Sequence, residues 1–138
     1  MTTIAYNHKD KKVAVDSRMT SNGIVVNDAA NKFIINDLGV WLFAGSGCDF
    51  KEMSLLSHGD KSRDLECLAM LIIDGIVYGV DTSDGLCSYT EYLHDSAFGS
   101  GAHFALASMD HGKSAEDAVK YAMTRDIYSG GKVNVFDV

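Results

Sequence analysis

Thr2-Thr3-Ile4-Ala5-Tyr6-Asn7-His8-Lys9-Asp10-Lys11-Lys12-Val13-Ala14-Val15-Asp16 holds two strand-forming runs, Thr3 to Tyr6 and Lys12 to Asp16, around the polar turn His8-Lys9-Asp10-Lys11. The run predicts a hairpin that brings Asp16 back beside the N-terminus. A terminal threonine carries a hydroxyl and an amine on adjacent carbons, so its amine can serve as base for its own nucleophile. Thr2 has that arrangement only after Met1 is removed, and its small side chain suits methionine aminopeptidase. A Thr-Thr start alone is a weak signal and reads more readily as a disordered tip. The residues that follow give it weight.

Gly23 to Val26 and Lys32 to Ile35 read as a second strand pair, joined through Asn27-Asp28-Ala29-Ala30-Asn31. Val40-Trp41-Leu42-Phe43-Ala44 is apolar throughout, as expected of a strand buried on both faces. Gly45-Ser46-Gly47 ends it and opens a predicted helix through about Ser57, because Phe50, Met53 and Leu55-Leu56 approximate helical spacing. Leu68 to Ile73 and Ile76 to Val80 are strands around Asp74-Gly75, a dipeptide suited to a type I′ turn. Asp81-Thr82-Ser83-Asp84-Gly85 reads as a further turn, without the loop length or terminal Glu of a calcium-binding EF-hand. Strands follow near Cys87 to Glu91 and Ser96 to Phe98. A helix with Ala102, Ala105, Leu106 and Met109 on its apolar face ends at Gly112. Ser114 to Asp117 resembles a capping box, and Ala115, Ala118, Val119, Ala122, Met123 and Ile127 form the stripe of the next helix. Lys132 to Val138 is a last strand. Strands arriving in hairpins favour antiparallel sheets packed face to face, with helices outside, over parallel βαβ units.

The 138 residues suit one domain, and 46% hydrophobic with 22% charged content is that of an ordinary globular chain. A formal charge of -7 disfavours nucleic acid and anionic membrane as partners. No signal-peptide pattern and no membrane-length apolar run is visible, so a cytoplasmic location is expected. Cys48, Cys67 and Cys87 are odd in number and lack a CxxC, which predicts reduced thiols. His8, His58, His94, His103 and His111 form no zinc-ligand pattern, and neither metal nor cofactor is expected.

Five segments, in order, are similar to those of proteasome core beta subunits. They are Val13-Ala14-Val15-Asp16-Ser17-Arg18-Met19-Thr20, Lys32 in Asn31-Lys32-Phe33, Phe43-Ala44-Gly45, Gly99-Ser100-Gly101, and Arg125 to Asn134. The resemblance implies an α+β fold of the N-terminal-nucleophile hydrolases, a four-layer αββα sandwich of two antiparallel sheets. It also implies a threonine endopeptidase acting on unfolded polypeptide or peptide, working as a homo-oligomeric ring fed by an AAA+ unfoldase. Thr2 would be the nucleophile, Lys32 the catalytic lysine and Gly45 the oxyanion-site strand end. Ser100, Asp126 and Ser129 would hydrogen-bond the Thr2 amine and its water. Thr20, Ser21 and the backbone near Ser46-Gly47 would pair with an extended peptide. Met19, Ala30 and Phe43 would line an apolar pocket for the side chain before the scissile bond.

The residues support the same reading chemically. A lysine ammonium close to an α-amine that normally titrates near pH 8 disfavours its protonated form and poises it as a base. Asp16 would pair with Lys32 and hold it; the plainer alternative is a solvated surface pair. A glycine at a strand end lets its N–H approach an oxyanion closely, though it also serves simply to start a helix. Three features depart from the family. No propeptide is expected before Thr2, as in the bacterial HslV peptidase; only about one helix fits between Gly47 and Leu68, trimming the outer helical layer; and Ser46 replaces a usual glycine. A catalytically silent ring or scaffold subunit and a small-molecule amidase of the same superfamily are the alternatives. The intact Thr2/Asp16/Lys32 set argues against the first, and the Asp126 to Ser129 segment against the second.

Overall fold

The computed structural model describes residues 1–138. Strands β1 (Ile4–Asn7) and β2 (Lys12–Val15) form the expected hairpin, with Ile4 opposite Val15. A small two-stranded ribbon follows, β3 (Met19–Ser21) and β4 (Ile24–Asn27). Next come β5 (Phe33–Ile35) and β6 (Val40–Gly45), a 3-10 turn at Gly47–Asp49, and the one-turn α1 (Phe50–Met53). Then β7 (Cys67–Ile73), β8 (Ile76–Ser83) and β9 (Leu86–Glu91) run as a meander, and β10 (Ser96–Phe98) returns to the first hairpin. Helices α2 (Ala102–Asp110) and α3 (Ala115–Met123) precede the last strand, β11 (Asn134–Asp137). All pairings are antiparallel, in the orders β10-β1-β2-β11, β3-β4 and β5-β6-β7-β8-β9.

Side-chain alternation explains how these elements stack. Ile4, Tyr6, Val13 and Val15 face one way and meet Leu42, Met70, Ile72 and Val77 of the five-stranded sheet. Ala5 and Ala14 face the other way, and their small size lets α2 and α3 seat Ala105, Ala118 and Ala122 against the first sheet. The far face of the five-stranded sheet carries Trp41, Phe43 and Leu71, covered by Phe50, Met53 and Leu65. Ser114 caps α3 by accepting the Asp117 N–H at 3.1 Å.

The structure corrects several sequence readings. The strand at Ile24–Asn27 pairs with β3, not with Phe33–Ile35, because Asn22 and Gly23 form a two-residue turn at φ 52° and 77°. Phe33–Ile35 pairs with β6 instead. Asp74-Gly75 turns as expected, with both φ values positive, but Asp81-Thr82-Ser83 belongs to β8 and only Asp84-Gly85 turns. Thr82 is buried there and its hydroxyl accepts the Leu65 N–H at 2.7 Å, a tertiary contact that outweighs its turn preference. The helix expected to Ser57 ends at Met53, and Leu55 is exposed. Leu106 also points outward, and Ile127 lies beyond α3 and is 70% exposed.

Burial sets the expected cost of truncation. Leu42→Ala, at a fully buried position between the sheets, is expected to lower stability by about 3–5 kcal/mol. Val26→Ala, at a position 61% exposed on β4, should stay within about 0.5 kcal/mol of wild type. Urea unfolding midpoints of the two variants would check both.

Candidate active site

The turn after β2 buries a carboxylate. Asp16 is fully inaccessible, and its oxygens accept the N–H groups of Thr3 (3.1 Å), Arg18 (3.2 Å) and Gly130 (2.9 Å). Lys32, just before β5, is equally buried and reaches the same carboxylate at 3.0 and 3.2 Å. Its Nζ has three protons, and the other two partners are the Thr2 hydroxyl at 3.1 Å and the Met1 carbonyl at 2.8 Å. Every donor of the lysine is therefore committed, and the Thr2 hydroxyl sits beside a cation. Burial pushes the Lys32 pKa below its ordinary 10.5, against the opposing pull of Asp16. The unfolded chain thus binds the proton more tightly, so this group opposes folding at neutral pH and ceases to do so as pH rises towards 10.5. The Met1 amine is also lowered, by burial first and by Lys32 second.

A second chain of bonds approaches from the C-terminal segment. Ser129 Oγ and Ser100 Oγ donate to one oxygen of Asp126, at 2.7 and 2.5 Å. With the Ser129 proton so used, the Thr3 hydroxyl is the donor in its 2.7 Å contact with Ser129 Oγ. Ser100 Oγ also lies 3.4 Å from the Thr2 carbonyl oxygen, which receives the Gly101 N–H at the same distance. Asp126, Ser129 and Ser100 thus converge on Thr2 and Thr3 through their backbone and hydroxyl groups. The Thr2 nitrogen itself is bonded to Met1.

Gly45 ends β6 at φ 117°, and a Cβ there would lie 2.5 Å from the Glu66 carbonyl oxygen. Phe43 N–H, two residues earlier, bonds the Lys32 carbonyl at 2.9 Å. Strand alternation turns the Gly45 N–H to that same side of β6, where Lys32 and Thr2 lie. Met19 packs its methyl 3.0 Å from the Cβ position of Gly47, which joins β3 to the loop after β6. Thr20 is half-buried and Ser21 exposed along the same ribbon, and Ala30, half-buried, follows it with its N–H on the Ser17 carbonyl at 3.0 Å. Ser46 is held by its N–H to the Glu66 carbonyl at 2.8 Å. Phe43, unlike the half-buried Met19 and Ala30, is sealed from solvent. Its ring is fully buried in a stack between Trp41 and Phe50 on the helix-covered face of the sheet, so it backs the strand and lines no open pocket.

Sequence reasoning passed over Ser17, Arg18 and Gly130. Ser17 Oγ donates to the Lys132 carbonyl, and Arg18 clamps both oxygens of Asp28 (2.8 and 3.0 Å) and the Ile127 carbonyl (3.0 Å). A Cβ on Gly130 would lie 2.5 Å from the Arg18 guanidinium. The signal was the Asp-Ser-Arg run itself, whose three polar residues each fasten a different segment.

Removing one half of the buried pair should cost more than removing both. Asp16→Ala is expected to destabilise by about 3–5 kcal/mol, since it strands the Lys32 ammonium and three backbone donors. Adding Lys32→Met should recover part of that loss. A double-mutant cycle in urea measures the recovery, and additive losses would contradict it.

No family model and no curated protein sequence matches the chain. Solved structures do. Thiobacillus denitrificans BPH in complex with epoxomicin superposes with a TM-score of 0.77 at 17% identity, covering 99% of this chain and 98% of that one. Thiobacillus denitrificans BPH gives a TM-score of 0.76 at 18% identity, with 99% and 97% covered. The likeness is one of fold, a mixed α/β architecture of antiparallel sheets and helices.

Proposed function

We propose that the protein is a threonine endopeptidase of the proteasome/HslV type, on a four-layer αββα sandwich, with Thr2 as nucleophile once the Met1–Thr2 bond has been cut. The observation that carries this reading is the buried Lys32 ammonium 3.1 Å from the Thr2 hydroxyl, locked by Asp16. A positive charge beside a hydroxyl favours its attacking, alkoxide-like form and lowers the pKa of a neighbouring amine. The Thr2 amine takes the hydroxyl proton as Oγ adds to the peptide carbonyl, and the Gly45 N–H faces the resulting oxyanion. Collapse breaks the C–N bond, the amine passes its proton to the departing nitrogen, and an ester to Thr2 remains. Water then adds to that ester, gives a proton to the amine, and Oγ recovers its own on release of the acid.

The fold neighbour bound to epoxomicin, a proteasome inhibitor, is in keeping with this chemistry. An extended peptide would lie as an added strand against β3 and the Ser46-Gly47 backbone. A homo-oligomeric ring, an AAA+ unfoldase and a cytoplasmic setting belong to the same proposal. No helix is long and apolar enough to cross a membrane.

Fluorogenic peptide cleavage by the trimmed protein tests the reading. Thr2→Ala is expected to lower the rate by about a thousandfold or more while the fold is kept. Thr3→Ala loses the Ser129 hydrogen bond and a buried methyl, about 2 kcal/mol of stability, and should keep activity within about tenfold. Equal losses would remove Thr2 from its role. Because the amine must be neutral to act, kcat/KM should rise with pH along a limb centred below about 8. A flat profile between pH 5 and 9 would contradict the amine as base.

A further inference from the structure

The five-stranded sheet is longer than the sheet it packs on. Leu42, Met70 and Ile72 meet the first sheet, and the same face continues through Ala44 and its cross-strand partner Leu68. There the opposing strands have ended. Leu68 is 40% exposed, although its β7 neighbours Cys67 and Ala69 are buried. The result is an open depression of about 290 Å³ bounded by Ala44, Gly45, Leu65, Cys67, Leu68 and the Gly99 turn, with Met1 against it. Gly99 ties this hollow to the nucleophile, because a Cβ there would lie 2.0 Å from the Thr2 carbonyl oxygen.

The hollow's position relative to Thr2 indicates which part of a substrate it meets. Sheet order places β5 on one side of β6 and β7 on the other. Lys32 lies on the β5 side, bonded through its carbonyl to Phe43, whereas the hollow lies on the β7 side. On the endopeptidase reading, a chain that pairs with Met19–Ser21, passes the Thr2 hydroxyl and presents its carbonyl to Gly45 would continue across β6 towards Leu68. We propose that this hollow is the site for the residue immediately after the scissile bond, P1′, and that it selects an apolar side chain on the leaving amine. Glu66 on the rim adds a negative charge that disfavours an acidic P1′ residue. The inference rests on the endopeptidase reading above.

The test uses trimmed full-length protein and paired internally quenched peptides that differ only at P1′, Leu against Asp. A peptide epoxyketone, which carries nothing beyond its reacting carbons, separately reports whether Thr2 is competent. Wild type is expected to cleave the Leu peptide with about tenfold or greater kcat/KM, and Leu68→Glu to bring the ratio down about tenfold. Leu68→Ala, which only shortens the wall, should reduce the ratio about threefold and serves where Leu68→Glu is not labelled. A labelled wild type with a ratio near one, or labelled Leu68 variants with the wild-type ratio, overturns the proposal. Failure of the epoxyketone to label trimmed wild type overturns the endopeptidase reading beneath it.

Discussion

A carboxylate and an ammonium, both sealed from solvent, hold four parts of the chain at one point. Asp16 receives N–H groups from the N-terminal strand, from its own turn and from the C-terminal loop, while Lys32 brings in the segment before β5. Such a pair yields little net stability, since the cost of leaving water offsets most of the mutual attraction. Its value lies in direction. Two charges with every donor and acceptor committed permit one arrangement of the surrounding backbone, and that arrangement sets Lys32 against Thr2.

The sequence disclosed this much because the first hairpin is local. Its turn, its alternation and the return of Asp16 to the N-terminus follow from a run of fifteen residues. The partner of Ile24–Asn27 was harder, since Asn27 to Asn31 looks like a loop between strands while Asn22-Gly23 makes a tighter one. A two-residue turn with both φ values positive closes a hairpin at small entropic cost, and the shorter connection won. Thr82 and Phe43 show the opposite limit. Each has a plausible local or family role, and each is fixed instead by contacts far along the chain, with Leu65 and with Trp41 and Phe50.

Ile127 belongs to the same class. Helical spacing continues through it, but the backbone leaves the helix after Met123, and Asp126 then accepts the Tyr128 N–H at 3.2 Å. The turn that results serves two purposes at once. It exposes the Ile127 carbonyl to Arg18 and aims Ser129 and Gly130 at Thr3 and Asp16. Periodicity registers the apolar side chain and is silent about the backbone donors and acceptors that make the turn worth forming.

Fold and chemistry meet at the third proton of Lys32. With Met1 attached, that proton is given to the Met1 carbonyl, and the nitrogen of Thr2 is an amide with no basicity. Cutting the Met1–Thr2 bond removes the carbonyl and creates an amine in the same confined space. Two ammonium groups so placed repel one another, and Lys32, held by Asp16, is the better stabilised. On the proposed reading, the Thr2 amine is the group that yields its proton. On that reading the ion pair that fixes the hairpin also sets the basicity of the chain terminus, and a substitution at Asp16 would alter both together.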